Sequence, residues 1–284
     1  MALREFFADR HALLEPPAIN PELAARWLEA FLRDEMNGRR GIGRAVIGLS
    51  GGVDSAVTAY LCARALGAEN VHAFRLPYRT SSPSSLQDAA LVAEALGINM
   101  RTIDISAAVD GYLDVEPDAD ARRRGNVMAR TRMLVLFDQS AKLDALPVGT
   151  GNKTERMLGY FTWHADDTPP VNPLGDLFKT QVWALAAYLG VPQPLIDKAP
   201  SADLEANQTD EGDLGITYAR ADAILAQLLL GYSDAQLVEH GFDAADVALV
   251  RRRVDSTHWK RHLPTTAMLT NTAINEFYLR PVDF

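Results

Sequence analysis

Apolar positions along the first part of the chain change period twice. Leu23, Trp27, Leu28, Phe31 and Leu32 recur at three- and four-residue spacing, which makes one face of a helix apolar. Asn20-Pro21 supplies a start signal, so the pattern predicts a helix over 20–35. After a polar, glycine-containing break at 38–43, Ala45-Val46-Ile47-Gly48-Leu49 forms a short continuous apolar run, the mark of a buried strand. Ser50–Ser55 then reads as a turn and 56–66 as a helix ended by Gly67. The alternation repeats: a strand over 71–76, a helix capped by Ser84 or Ser85 and stopped at Gly97, a strand over 100–105, a helix over 127–143, a strand over 146–149, and a helix over 178–189 closed by Gly190 and Pro192. Strands alternating with helices predict an α/β fold, a doubly wound parallel sheet covered on both faces that binds ligands beyond the carboxyl ends of its strands. Two stretches, 162–177 and 198–214, follow neither period. Long unpatterned loops in a compact fold serve as lids or binding loops. There is no internal repeat and no low-complexity tract.

Composition narrows the class. The 284 residues, 48% hydrophobic and 23% charged, suffice to bury a full core, and a single large domain over 1–284 is the expectation. A formal net charge of −9 argues against long tracts of bound nucleic acid. The single cysteine, Cys62, leaves no intramolecular disulfide and no multi-thiolate zinc site, and fits a reducing cytoplasm. Charges interrupt the N-terminus too early for a secretory core, and no uncharged apolar run reaches the length of about 18 residues that a membrane helix needs.

Ser50-Gly51-Gly52-Val53-Asp54-Ser55, placed between a strand and a helix, carries the first chemical signal. The glycines let backbone approach phosphate oxygens, and the following helix offers unpaired N–H groups and the positive end of its dipole. Ser50 and Ser55 add hydroxyl donors. Asp54 would repel phosphate unless a cation lies between them, which points to Mg²⁺. No Gly-Lys-Ser/Thr follows, so this is not a Walker A loop. Gly-Gly alone would be a plain turn; the full string after a buried strand is more specific. Ser-Gly-Gly-x-Asp-Ser resembles the loop of the N-type ATP pyrophosphatases, which split ATP into AMP and pyrophosphate and adenylate a substrate.

Later blocks resemble one branch of that superfamily, the ammonia-dependent NAD synthetases. They are Asn126-Val127-Met128-Ala129-Arg130-Thr131-Arg132-Met133; Gly149-Thr150-Gly151-Asn152-Lys153-Thr154-Glu155 with Gly159-Tyr160-Phe161-Thr162; Gly175-Asp176-Leu177-Phe178-Lys179-Thr180-Gln181-Val182; Lys198-Ala199-Pro200-Ser201-Ala202-Asp203-Leu204; and Gln208-Thr209-Asp210-Glu211. The likeness runs in order from about residue 20 to 265. It implies an adenine nucleotide alpha hydrolase-like, three-layer fold and an enzyme that amidates nicotinate adenine dinucleotide (deamido-NAD) through an acyl adenylate, with ATP as co-substrate. It also implies roles residue by residue. Ser50, Gly51, Gly52, Asp54 and Ser55 would hold the pyrophosphate end of ATP. Thr150, Ser201, Lys179 and Arg75 match ATP-contacting positions, with Asp54 and Lys179 as the catalytic pair. Asp54 and Glu155 match Mg²⁺ ligands. Asn126, Arg130, Trp163, Trp259 and Lys260 fall at the substrate end. Read singly, Lys179 at a helix start is a solvated cation and Glu155 a surface acid favoured by the helix dipole; the five blocks change that reading. Arg122-Arg123-Arg124 and Arg251-Arg252-Arg253 read as solvated faces, and His72, His240 and Cys62 as structural.

The nicotinate end departs from the family. Phe161-Thr162-Trp163-His164-Ala165-Asp166 stands where members carry Phe-Thr-Lys-Tyr-Gly-Asp, an acid seven residues on is replaced by Pro170, and Trp259-Lys260-Arg261 replaces His-Lys-Arg. Two tryptophans can stack on a planar ring where a cation and an acid are gone, or pack as core. The chain is thus an NAD synthetase with a variant substrate site or a paralogue amidating another carboxylate. A tRNA-modifying member of the superfamily would want a basic RNA surface, and a thiolating one reactive cysteines. A nucleotide-binding regulator on a decayed ligase fold is opposed by the intact Ser50, Asp54, Glu155 and Lys179. No cysteine nucleophile or extra length for a glutaminase is present, so free ammonia or a separate glutaminase partner is the expected nitrogen source. The resemblance also implies a homodimer.

Overall fold

The computed structural model describes residues 14–201, 208–262 and 265–270. Helix α1 (Pro21–Arg33) starts with Pro21 in its first turn and Asn20 as N-cap, whose side chain accepts from the Leu23 N–H; a single π-type turn, Asp34–Gly38, extends it. Strand β1 (Ala45–Gly48) leads into α2 (Val53–Leu66), then β2 (Val71–Arg75), α3 (Pro83–Leu96), β3 (Asn99–Thr102), α4 (Ser106–Leu113), α5 (Ala121–Leu143) and β4 (Leu146–Pro147). The four strands are parallel in the order β3-β2-β1-β4, with Ala45 opposite both Val71 and Leu146. A bridge between Val148 and Val171 prolongs the edge beyond β4. The order reverses between β1 and β4, so a crevice opens at the carboxyl end of β1, where ligands bind in open α/β sheets.

The remaining helices are α6 (Lys153–Leu158), α7 (Lys179–Leu189), α8 (Gln193–Asp197), α9 (Asp210–Leu214), α10 (Tyr218–Leu229), α11 (Asp234–Glu239) and α12 (Ala244–Thr257), followed by a 3₁₀ turn at His258–Arg261. One buried cluster packs α1, α2 and α7 against one face of the sheet, with Leu32, Ile47, Leu61 and Leu185 fully buried. Val46, Phe74, Val109 and Leu136 form a second cluster on the other face, beneath α4 and α5. A third, with Leu158, Tyr218, Ile224 and Val250, joins α6, α10 and α12. α2 is buried almost all round, including Cys62, as expected of a helix enclosed between sheet and neighbours. Among the described residues no helix is long and apolar enough to cross a membrane.

The hydrophobic pattern located the strands and helices α1, α2, α3, α5 and α7 but not all of their ends, and it left α4, α6 and α8 to α12 unassigned. α2 begins at Val53, inside the expected turn. α3 begins at Pro83 after N-cap Ser82, with Ser84 and Ser85 already helical. β3 covers 99–102 rather than 100–105, because the Asp104 carboxylate accepts from the Ser106 N–H and turns the chain into α4. α5 starts at 121 rather than 127: Asp120 caps the Arg123 N–H and draws the whole arginine run into the helix. The resulting 23-residue helix carries Asn126 and Arg130 along the crevice.

Candidate functional site

A cavity of about 1100 Å³ lies at the carboxyl end of β1. Its floor is the Ser50–Ser55 turn, which is braced internally. The Ser55 hydroxyl accepts from the Ser50 N–H (3.2 Å) and donates to the Gly52 carbonyl (3.0 Å), and the Gly52 N–H donates to Ser50 Oγ (3.2 Å). Gly51 has φ +81°, and a Cβ there would stand 2.2 Å from the Ser85 carbonyl oxygen, so both the backbone conformation and the contact require glycine.

Asp54, in the first turn of α2, faces the N-termini of α6 and α7. Asn152 is the fully buried N-cap of α6 and forms a capping box with Glu155. Its Oδ1 accepts from the Glu155 N–H (3.0 Å) while its own N–H donates to Glu155 Oε2 (3.2 Å). The Asn152 amide also donates to Asp54 Oδ1 (2.9 Å), so a single side chain fixes both acids. Lys179, the first residue of α7 and only 1% exposed, donates to Asp54 Oδ2 and lies 3.6 Å from Glu155 Oε1. A buried cation at a helix N-terminus opposes the dipole and its own desolvation. Burial does act against the Lys179 ammonium, but the fields of Asp54 and Glu155 outweigh it and hold the amine above the ordinary lysine range. The acid side is not balanced in return. Burial and then the charge of Asp54 push Glu155 up to about 8, against the pull of Lys179.

Beneath these groups lies Asp222, fully buried on α10. It accepts from the Thr154 hydroxyl (2.5 Å) and from both the N–H (2.9 Å) and the hydroxyl (2.8 Å) of Thr180; the Lys179 N–H donates in turn to Thr154 Oγ1 (2.9 Å). Thr154 precedes Glu155 and Thr180 follows Lys179. One carboxylate therefore sets the separation of the two helix starts that carry the charged pair.

Two acids sharing one lysine constitute an excess of buried negative charge. Mg²⁺ is commonly held by one or two carboxylates completed by water and substrate phosphates rather than by an all-protein cage. Asp54 and Glu155 fit that pattern by residue type and by facing each other across Lys179. No all-protein cluster of three or more His, Cys, Asp or Glu side chains suited to a metal occurs among the described residues.

The opposite wall is built differently. Arg130 donates to the Trp163 carbonyl (3.1 Å), and Thr162 donates to Asn126 Oδ1 (3.2 Å), tying α5 to the segment after α6. Trp163 and Trp259 meet edge to face with centroids 5.2 Å apart. The Lys260 amine donates to the carbonyls of Gly159 (2.6 Å) and Phe161 and lies 4.2 Å over the Phe161 ring. Gly159 ends α6 with φ +66°, pressed against Thr257. Lys260 thus clasps the 3₁₀ turn to this wall.

Every residue to which the sequence reading gave a site role lines this cavity: Ser50, Gly51, Gly52, Asp54, Ser55, Arg75, Thr150, Glu155, Lys179 and Ser201, together with Asn126, Arg130, Trp163, Trp259 and Lys260. Arg75 is committed to Thr102 and the Leu86 carbonyl, both at 2.9 Å. Both unpatterned segments contribute, through Trp163, Asp166 and Pro169 and through 198–201 and 208–210; residues 202–207 lie outside the described part, and Pro170 is not in the lining. Arg122, read as solvated, also reaches the cavity. Asn152 and Asp222 gained no role from the sequence. The one available signal for Asp222 was an acid set among alanine and leucine in a helix, which by itself is only a polar position.

The comparisons with known proteins agree with this geometry. The NAD synthase family model matches residues 24–264. The chain is 49% identical over 258 residues to the NH(3)-dependent NAD(+) synthetase of Trichlorobacter lovleyi, covering 90% of this chain and 94% of that protein. Among solved structures, it resembles an NMN synthetase from Francisella tularensis (TM-score 0.79, 33% identity, 88% of this chain and 99% of that one). It also resembles the NH3-dependent NAD synthetase from Campylobacter jejuni, solved with nitrate (TM-score 0.76, 29% identity, 88% and 100%). With the family model spanning the β1 turn, the Asp54–Lys179–Glu155 cluster and the tryptophan wall alike, the chain belongs to the NAD synthase family.

Proposed function

We propose that the chain converts nicotinate adenine dinucleotide to NAD, using ATP to form an acyl adenylate and ammonia to displace AMP, with pyrophosphate as the other product. The observation that carries this reading is the placement of Lys179 between Asp54 and Glu155, directly across from the glycine turn, in a cavity large enough for two nucleotides' reacting ends. The turn and the α2 N-terminus supply N–H donors for the polyphosphate. Lys179, held charged, faces the oxygens on which charge grows as pyrophosphate leaves. Asp54 and Glu155 would hold Mg²⁺, which supplies charge neutralisation on the leaving pyrophosphate when bound. Thr150, Ser201 and Arg75 line the ATP end; Asn126, Arg130, Trp163, Trp259 and Lys260 line the acceptor end, which sets carboxylate and α-phosphate side by side. Lys260 serves there chiefly by holding the wall, since two carbonyls occupy its amine. Segments 162–177 and 198–214 shield the adenylate from water. We take the chain to work as one ligase unit over 1–284, as a cytoplasmic homodimer, on free ammonia or ammonia from a separate glutaminase.

The test is NAD formation and pyrophosphate release with ATP, Mg²⁺ and ammonium. Both are expected with the dinucleotide acid and absent without an acceptor; no NAD under any of these conditions refutes the reading. A second reading has its own support. The Francisella tularensis protein is named an NMN synthetase, and the Trp163–Trp259 wall and Pro170 replace the charged residues of the dinucleotide enzymes. Higher kcat/KM for nicotinate mononucleotide than for the dinucleotide would establish it. An ATP-pyrophosphatase acting on tRNA remains the most distant alternative, which a tRNA-binding assay decides.

A further inference from the structure

Helix α6 is held at its far end by a residue that takes no part in the proposed reaction scheme. α6 spans only six residues, and its first turn carries both Thr154 and Glu155. So short a helix makes too few internal hydrogen bonds to stand alone, and its direction is set by what meets its two ends. At the start these are Asn152 and Asp222. At the other end Gly159 turns the chain, and its N–H and that of Tyr160 return to the carbonyls of Arg156 (3.4 Å) and Glu155 (2.9 Å). The carbonyls of Met157 and Gly159 are met by the 3₁₀ turn instead. Arg261 Nη1 donates to Met157 (2.9 Å) and reaches Arg156 (3.5 Å), while the Lys260 amine donates to Gly159 (2.6 Å).

Arg261 does more than cap one helix. Its Nη2 donates to the Val254 carbonyl (2.8 Å) in the last turn of α12, and its Nη1 also lies 3.3 Å from Thr257 Oγ1. One guanidinium thus bridges the carbonyl ends of two helices, which calls for a planar fork of donors. These partners are carbonyls and a hydroxyl, so geometry rather than an ion pair seats the side chain. Burial and then the charge of Arg156 act against the guanidinium, with Asp255 opposing them. The seat is close: a Cβ on Gly159 would stand 2.4 Å from Thr257 Cβ, and Leu158 is fully buried in the cluster that holds Val250. Arg261 is not among the residues lining the cavity, whereas Glu155 at the start of α6 and Gly159 at its end both are.

We infer that Arg261 is a positioning residue for the ligase reaction. It fixes the axis of α6 from the carbonyl end, and with it the place of Glu155 in the site. The catalytic part of this inference rests on the ligase reading above, because a shift of about 1 Å at a reacting group can cost about a hundredfold in rate.

Two measurements on the full chain keep the two apart. Hydrogen–deuterium exchange needs no substrate and follows the amides of 153–162. Pyrophosphate release with ATP, Mg²⁺, the acceptor acid and ammonium gives kcat and KM. Arg261→Lys keeps the charge and loses the fork. Exchange over 153–162 is expected to quicken about tenfold, with that of α2 unchanged. In the same variant kcat is expected to fall about tenfold, with the KM for ATP and for the acceptor within about threefold. Arg261→Ala is expected to lose about a hundredfold in kcat and to regain about tenfold with methylguanidinium chloride, but not with sodium chloride at equal concentration. If Arg261→Ala does not fold, Arg261→Lys alone decides. Unchanged exchange over 153–162 overturns the inference. So does a kcat within about twofold of the unaltered protein, or a rise in KM alone, which would put Arg261 on a substrate. Faster exchange across the whole chain overturns it too, leaving Arg261 a stability residue only. No pyrophosphate release by the unaltered protein with any acceptor ends the ligase reading, and exchange alone then decides whether Arg261 fixes α6.

Discussion

The two ends of the cavity are built on opposite principles. At the proposed nucleotide end the three charged side chains spring from the first turns of helices, and each is held by a buried partner: Asp54 by Asn152, Glu155 by its capping box, Lys179 through Thr154 and Asp222. At the acceptor end the wall is a loop and a 3₁₀ turn, fastened by side chains reaching for backbone carbonyls, and Trp259 is half exposed. At the first end each charged group completes another's hydrogen bonding. The second can exchange a cation for an indole without disturbing a core.

Substitutions can break this contrast in order of expected effect. Asp54→Ala removes the partner of Lys179 and one of the two acids proposed to face the phosphates. Pyrophosphate release is expected to fall about 10³-fold while circular dichroism stays unchanged; wild-type rates would dissolve the nucleotide end as described. Gly51→Ala forces an unfavourable φ and a collision with Ser85. ATP binding measured by calorimetry should weaken about a hundredfold, and stability should drop by about 1–3 kcal/mol. Asp222→Asn leaves the Thr154 proton without an acceptor. It should lower kcat about tenfold with little change in KM for ATP, a split that a loss of folded protein alone would not produce.

Protonation sharpens the same contrast. Because the Glu155 pKa in the folded protein stands at about 8, above its ordinary value, the folded form without metal holds an extra proton between the two values. Its favourable contribution is therefore complete at low pH and is lost as pH rises through about 8. Glu155→Gln should raise the Tm of the metal-free protein, and by more at pH 9 than at pH 5. Mg²⁺ binding, which must displace that proton, should tighten up to about tenfold per pH unit below 8 and level off above it. The smallest effect belongs to the acceptor wall. Trp163→Ala should raise the KM for the acceptor about fivefold and leave that for ATP unchanged; an equal rise in both would erase the division between the ends.

The place of the Ser50–Ser55 turn on the cavity was legible before the structure, because its pattern is written locally: two glycines, two hydroxyls and an acid between a strand and a helix. The alternation of strands and helices was equally plain, since buried parallel strands leave continuous apolar runs. The supporting residues were not. Asp222 acts on Thr154 and Thr180 from far along the chain, and no local spacing reports a contact that only the packing of α10 against α6 and α7 creates. Asn152 lies within the Gly149–Glu155 segment, yet its link to Asp54 spans 98 positions. The ends of α5 and β3 were misplaced because single capping aspartates, Asp120 and Asp104, overrode the apolar pattern.

The close seat of Gly51 on Ser85 has a mechanical consequence. The same serine receives the Lys198 amine on its hydroxyl (3.1 Å), and Lys198 is anchored to Asp88 (2.7 Å) one turn further along α3. The first turn of α3 is thus a shared bearing, with the Ser50–Ser55 turn resting on one side and the stem of the 198–201 strap on the other. Strap and turn therefore rest on one support, and a change that moves Ser85 moves both.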